Sequence, residues 1–119
     1  MREIKFRAWD GKRYTTDFFI TSEGTVFKPH YDRDAEIASG FTIEQFTGLL
    51  DKNGEEIYEG DILQNNARGH ALVVYRYGGF FVELFDCEEF GTTCVPLNEA
   101  FLFAELIGNI HENPELLND

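Results

Sequence analysis

Basic residues are scarce in this 119-residue chain: 10 Lys and Arg stand against 22 Asp and Glu, a formal net charge of -12. Cysteine is scarcer still. Cys87 and Cys94 alone are too few for a disulfide scaffold, so the expectation is a reduced, cytoplasmic protein. Serine occurs only as Ser22 and Ser39, neither of them in a Gly-x-Ser-x-Gly elbow, which excludes that class of hydrolase. Both serines read as turn residues. The longest apolar runs, Ala71–Tyr75 and Ala100–Ala104, fall far short of the roughly 20 residues that a membrane-spanning helix needs. The opening Met1-Arg2-Glu3-Ile4-Lys5-Phe6 is charged from its second residue and lacks the apolar stretch of a secretory signal. Proline is limited to Pro29, Pro96 and Pro114, and no repeat, linker or Asn-X-Ser/Thr sequon is present.

Aromatic residues are plentiful instead, with 12 Phe, 5 Tyr and 1 Trp. They argue for a packed core despite the charge, and a chain of this length is one ordinary domain. The charge is unevenly placed. Residues 1–48 carry seven basic and eight acidic side chains, whereas residues 49–119 carry three and fourteen. A surface so negative repels phosphate backbones, so the second half is disfavoured for direct nucleic-acid binding. The near-neutral first half could carry a basic stripe through Arg2, Lys5, Arg7, Lys12 and Arg13.

Period-2 patterning dominates the chain. Ile4, Phe6 and Ala8 alternate with Lys5, Arg7 and Trp9 as in a half-buried strand. After the Asp10-Gly11 turn, strands are expected near Tyr14–Ile20 and at Thr25–Lys28. Pro29–Gly40 reads as loop with one helical turn around Asp34–Ala38. Phe41–Gly48 is a strand, Asp51-Lys52-Asn53-Gly54 a tight turn, and Gly60-Asp61 a turn launching the next strand. Ala71–Tyr77, Gly78-Gly79 and Phe80–Phe85 form the clearest hairpin. An acidic loop at Asp86–Thr93 and a short helix within Pro96–Phe103 follow, then a strand at Glu105–His111. Asn113-Pro114-Glu115 has the order of an N-cap, a first-position proline and an acidic first turn. Six to eight short strands with little helix point to a small β-barrel or sandwich.

Chemistry-bearing patterns are thin. Gly78-Gly79 lacks the Lys-Ser/Thr of a phosphate loop. Cys87 and Cys94 are separated by six intervening residues with no histidine near them in sequence, and His30, His70 and His111 are scattered. Asp51–Glu55 fails as a calcium loop, because Glu55, Glu56 and Ile62 stand where Asp/Asn, Gly and Glu are required. Glu59 and Asp61 would share one face of an extended segment, and Asp86, Glu88 and Glu89 form a second acidic cluster. In a chain with 22 acidic residues such groups are the default solvated surface. Asp61 also suits a structural role as a turn acceptor. No catalytic set, metal site or cofactor is expected.

Three stretches share a pattern: Arg2-Glu3-Ile4-Lys5-Phe6-Arg7-Ala8-Trp9-Asp10; Phe46-Thr47-Gly48-Leu49 with Asp51-Lys52-Asn53-Gly54-Glu55-Glu56-Ile57-Tyr58-Glu59-Gly60-Asp61-Ile62; and Ile107-Gly108-Asn109-Ile110-His111-Glu112-Asn113-Pro114-Glu115-Leu116-Leu117. In this order they resemble the YopX family of phage and prophage proteins, from residue 2 to residue 117. Glu44-Gln45-Phe46 departs from the Met-Gln-Tyr usual there, as does His111 from Tyr. The resemblance implies a single domain (1–119) that is mainly β, with an N-terminal β region (1–47), an SH3-like barrel region (48–119) and one or two short helices. It implies a source in a phage or prophage, hence the cytoplasm of a bacterial host. It implies no activity and transfers no catalytic residue. Gly48, Gly54, Gly60 and Gly108 suit turns or strand ends, and Ile57, Ile62, Ile107 and Ile110 suit a core.

The expected function is therefore that of a non-enzymatic accessory protein binding a host or phage protein through an acidic, aromatic-rich surface. Its contact residues are expected among Glu59, Asp61, Tyr75, Tyr77, Asp86, Glu88 and Glu89. A DNA-mimic inhibitor is a variant of that reading. The alternative is a nucleic-acid-associated small barrel that binds through the first half. No membrane partner is expected, and edge strands with many aromatics permit a homo-oligomer.

Overall fold

A computed structural model of the chain describes residues 3–65, 69–84, 93–97 and 104–117. Through these residues run twelve strands, all paired antiparallel, in three sheets. The chain divides into two compact units, Lys5–Gln45 and Met1–Ile4 with Phe46–Asp119.

In Lys5–Gln45, β1 (Phe6–Trp9) pairs with β2 (Tyr14–Thr15) and with the start of β6 (Thr42–Leu50). Asp10 shapes the turn between β1 and β2, its Oδ1 accepting the N–H groups of Lys12 and Arg13 at 2.8 and 2.9 Å. Those two bonds favour the ionised form and hold its carboxyl below the ordinary range. Of the set expected to point inward, only Ala8 is buried, while Ile4 and Phe6 are exposed. The second sheet is β3 (Phe19–Ile20), β4 (Val26–Lys28) and β5 (Glu36–Ile37). The single strand expected over Tyr14–Ile20 is thus two strands in different sheets. The helical turn expected at Asp34–Ala38 is also replaced: Ile37 lies opposite Phe27, and the Ala38 N–H donates to the Val26 carbonyl at 2.9 Å. A ladder to a strand earlier in the chain decides this backbone, and local composition does not encode it.

The other unit contains the end of β6, then β7 (Glu56–Tyr58), β8 (Asp61–Asn65), β9 (Gly69–Arg76), β10 (Gly79–Leu84), β11 (Thr93–Pro96) and β12 (Glu105–Asn109). Its five-stranded sheet has the order β11-β10-β9-β8-β12. Alternation along β9 and β10 sends Ala71, Val73, Val82 and Leu84 to one face, where they meet Ile57, Leu63 and Ala104. Each fully buried Val, Leu or Ile contributes about 1.5–3 kcal/mol, so this cluster is the main source of stability in the unit. Ile57 and Ile62 are buried as expected; Ile107 is half-buried and Ile110 exposed.

Two devices complete the sheet. The outer side of β12 is covered by the turn between β6 and β7: the Leu106 N–H donates to Asp51 Oδ2 at 2.9 Å, and the Lys52 N–H donates to the Ala104 carbonyl at 3.1 Å. An edge so covered cannot template further pairing. Near its end β12 carries an irregularity between Leu106 and Gly108. A Cβ at Gly108 would stand 2.5 Å from Asn113 Oδ1, so a larger residue there would displace the Asn113 side chain, which accepts the Asn109 N–H. Among the described residues the five-stranded sheet keeps two distinct edges, β11 and β12, and no closed barrel forms. Pro96 ends β11, and the rest of the helix expected over Pro96–Phe103 lies outside the described residues but for Leu97, which is neither helix nor strand. After Asn113 comes a 3-10 turn, Pro114–Leu117, shorter and tighter than an α-helix.

Candidate functional site

Among the described residues, the β9–β10 hairpin brings the most exposed aromatics of its unit together. Gly79 pairs with Arg76, so the two-residue loop is Tyr77-Gly78, one position earlier than the Gly78-Gly79 turn expected. Tyr77 has φ 54 and Gly78 φ 81, the positive pair that a type I′ turn demands. The Tyr77 ring lies edge-on to Phe81 with centroids 5.7 Å apart, and the residue is 88% exposed. Tyr75 is 51% exposed and lies edge-on to Phe80 at 5.2 Å. Because Phe80 and Phe81 are consecutive in a strand, the two ring pairs stand on opposite faces of the ribbon. Arg76 pairs with the buried carboxylate of Glu83.

The expected acidic contacts separate. Asp61 is only 1% exposed; its Oδ2 accepts the Tyr58 N–H at 2.8 Å. It closes the turn into β8 and presents no surface to a partner. Glu59, two residues away, is half-buried. Asp86, Glu88 and Glu89 lie outside the described residues. No group of three His, Cys, Asp or Glu among the described residues is arranged to hold a metal, and no helix there is long and apolar enough to cross a membrane.

Three buried carboxylates escaped sequence reasoning: Glu83, Asp51 and Glu44. Asp51 Oδ1 accepts the N–H groups of Asn53 and Glu55, both at 2.8 Å, while Oδ2 takes the Leu106 N–H. Burial pushes its carboxyl up, and the three backbone donors outweigh that and hold it below its ordinary value. Glu44 Oε1 accepts from Arg7 Nε and from the Tyr14 hydroxyl, each at 2.9 Å, with the Arg7 guanidinium 4.1 Å from the centre of the Tyr14 ring. The only signal for Asp51 or Glu44 in the sequence was the Asn53-Gly54 turn beside Asp51.

That ion pair also bears on the basic stripe of the first half, since Arg7 is engaged with Glu44 and not available to a phosphate. The Lys5–Gln45 unit holds instead a shallow open groove of about 360 Å³ lined by Phe6, Thr16, Phe18, Phe19 and Ile20. The histidines occupy separate settings. His30 Nε2 is 2.8 Å from Glu36 Oε1, and the His70 ring at Nδ1 donates to the Leu116 carbonyl at 2.8 Å. The His111 N–H donates to Asn109 Oδ1 at 3.1 Å.

Fold and site together define a mainly β protein of short antiparallel strands with an aromatic hairpin tip. A family model described as YopX protein matches residues 5–118, and the chain belongs to the YopX family. It is similar to protein EF1440 from Enterococcus faecalis, known from its crystal structure, with 31% identity and a TM-score of 0.65 over 98% of this chain and 99% of that one. No curated protein matches the chain.

Proposed function

We propose that this protein is a non-enzymatic accessory protein of phage or prophage origin, working in the bacterial cytoplasm by binding another protein. The observation that carries this reading is the pair of exposed tyrosines, Tyr75 and Tyr77, on a hairpin whose base is anchored in the core. Rigid aromatics lose little conformational entropy on docking, and exposed ones mark contact surfaces. The acidity of the second half favours a partner with a basic rim. We read that half as an open SH3-like barrel, supported by the bonds from Asp51 and Lys52 to β12 and by the Gly60 N–H bond to the Val73 carbonyl at 2.7 Å.

The test is capture from nuclease-treated bacterial lysate by the tagged full chain and by its Tyr75→Ala/Tyr77→Ala variant, compared by quantitative mass spectrometry. A protein held by the parent and lost by the variant supports the reading. Capture that nuclease abolishes places nucleic acid ahead of protein, and capture indifferent to both substitutions removes the hairpin tip from the surface.

A further inference from the structure

The first loop position of a type I′ turn favours Asn, Asp or Gly, because positive φ crowds a Cβ against the neighbouring carbonyl. Tyr77 occupies it at φ 54. Its ring recovers part of that cost through its edge-on contact with Phe81, but little through burial, since the residue is 88% exposed. Strain held at an exposed position, where a commoner residue would fold more easily, is the signature of a side chain kept for contact.

The charge of its half of the chain indicates what that contact is. The chain from Leu49 onward has three basic side chains against fourteen acidic, and one of the three, Arg76, is already paired with Glu83 beside the turn. The tip is thus an aromatic point in the acidic half of the chain, whose net charge is -11. Anions are repelled by such a surface, and cations are drawn to it. Arginine uses both features at once, because its weakly hydrated planar guanidinium stacks on tyrosine faces while its charge meets the field. With Tyr75 and Tyr77 on opposite faces of the ribbon, a segment crossing the tip can set one guanidinium on each side.

We propose that the tip of the β9–β10 hairpin docks an arginine-rich segment of a protein partner, with Tyr77 as its aromatic anchor. This rests on the reading of the protein as a binding module and names the chemistry of what it binds.

The experiment titrates the full chain into fluorescently labelled octaarginine, and into octalysine of equal charge, at about 0.15 M salt where long-range attraction is mostly screened. The same titrations use Tyr77→Gly, a residue better suited to the turn and neutral in charge. The expected result is tighter binding of octaarginine than of octalysine, weakened about tenfold by Tyr77→Gly, with a thermal midpoint equal to or above that of the parent. Equal affinity in Tyr77→Gly overturns the proposal, because charge alone then explains binding. A lowered midpoint overturns it too, by making the ring structural. If octaarginine fails to bind while lysate capture still depends on Tyr75 and Tyr77, the choice of partner is wrong and the binding module stands.

Discussion

Asp51 ties its own turn to β12 through one carboxylate that accepts three backbone N–H groups, and its chemistry sets a pH signature. Its folded pKa lies below the ordinary 3.8 because Asn53, Glu55 and Leu106 donate to the ionised form. A depressed folded pKa means stability that is complete above the unfolded value and lost as pH falls through the folded one. Asp51→Asn is expected to cost about 1–3 kcal/mol at pH 7, since an amide nitrogen must face one of the three N–H groups. The deficit relative to the parent should shrink on acidification from pH 7 to about pH 3, because the parent loses this contribution as pH falls from the unfolded value towards the depressed folded one. Urea unfolding of both proteins at the two pH values checks this. A deficit independent of pH would assign the loss to shape and not to charge.

At the scale of elements, Glu44 locks the sheet of β2, β1 and β6. Side-chain exposure is 16% for Arg7 and 5% for Glu44, so the pair is shielded, unlike Lys52 and Glu105, which stand 3.8 Å apart at the surface. Exposed pairs contribute about 0–1 kcal/mol, whereas depriving a shielded arginine of its counter-charge costs more. Glu44→Gln should therefore destabilise by about 2 kcal/mol in urea melts, and Glu105→Gln by less than about 0.5 kcal/mol. Similar values for the two would refute the ranking. The same element shows what was readable beforehand. The β9–β10 hairpin was legible because its signals, alternation and a glycine turn, are local, and its loop slipped by one because Tyr77 breaks the local rule. Glu44 and Asp51 were not legible as buried groups, since each has a partner far along the chain, Arg7 lying 37 residues from Glu44 and Leu106 lying 55 residues from Asp51. Among 22 acidic residues, nothing local separates a carboxylate that will meet an arginine from one that will meet water. Asp61 was readable in part, because its reading as a turn acceptor needs only the Tyr58 N–H three residues earlier, whereas the spacing that gave it an exposed face beside Glu59 did not hold.

For the whole molecule, the net charge of -12 opposes compaction. Salt screens that repulsion, shortening the Debye length from roughly 20–30 Å at about 0.02 M to roughly 4–5 Å at about 0.5 M. It also screens favourable pairs, so the sign of the response depends on which population is larger. With 10 basic residues against 22 acidic, repulsive pairs outnumber attractive ones, and the Arg7–Glu44 pair is shielded from screening by burial. Sodium chloride over that range should thus raise the thermal midpoint at pH 7 by several degrees. Near pH 4.5, the isoelectric point that the composition implies, net repulsion vanishes and the same salt should leave the midpoint almost unchanged. A midpoint that falls with salt at pH 7 would mean that attractive surface pairs outweigh net repulsion. A rise of the same size at both pH values would point to salting-out of apolar surface and away from charge.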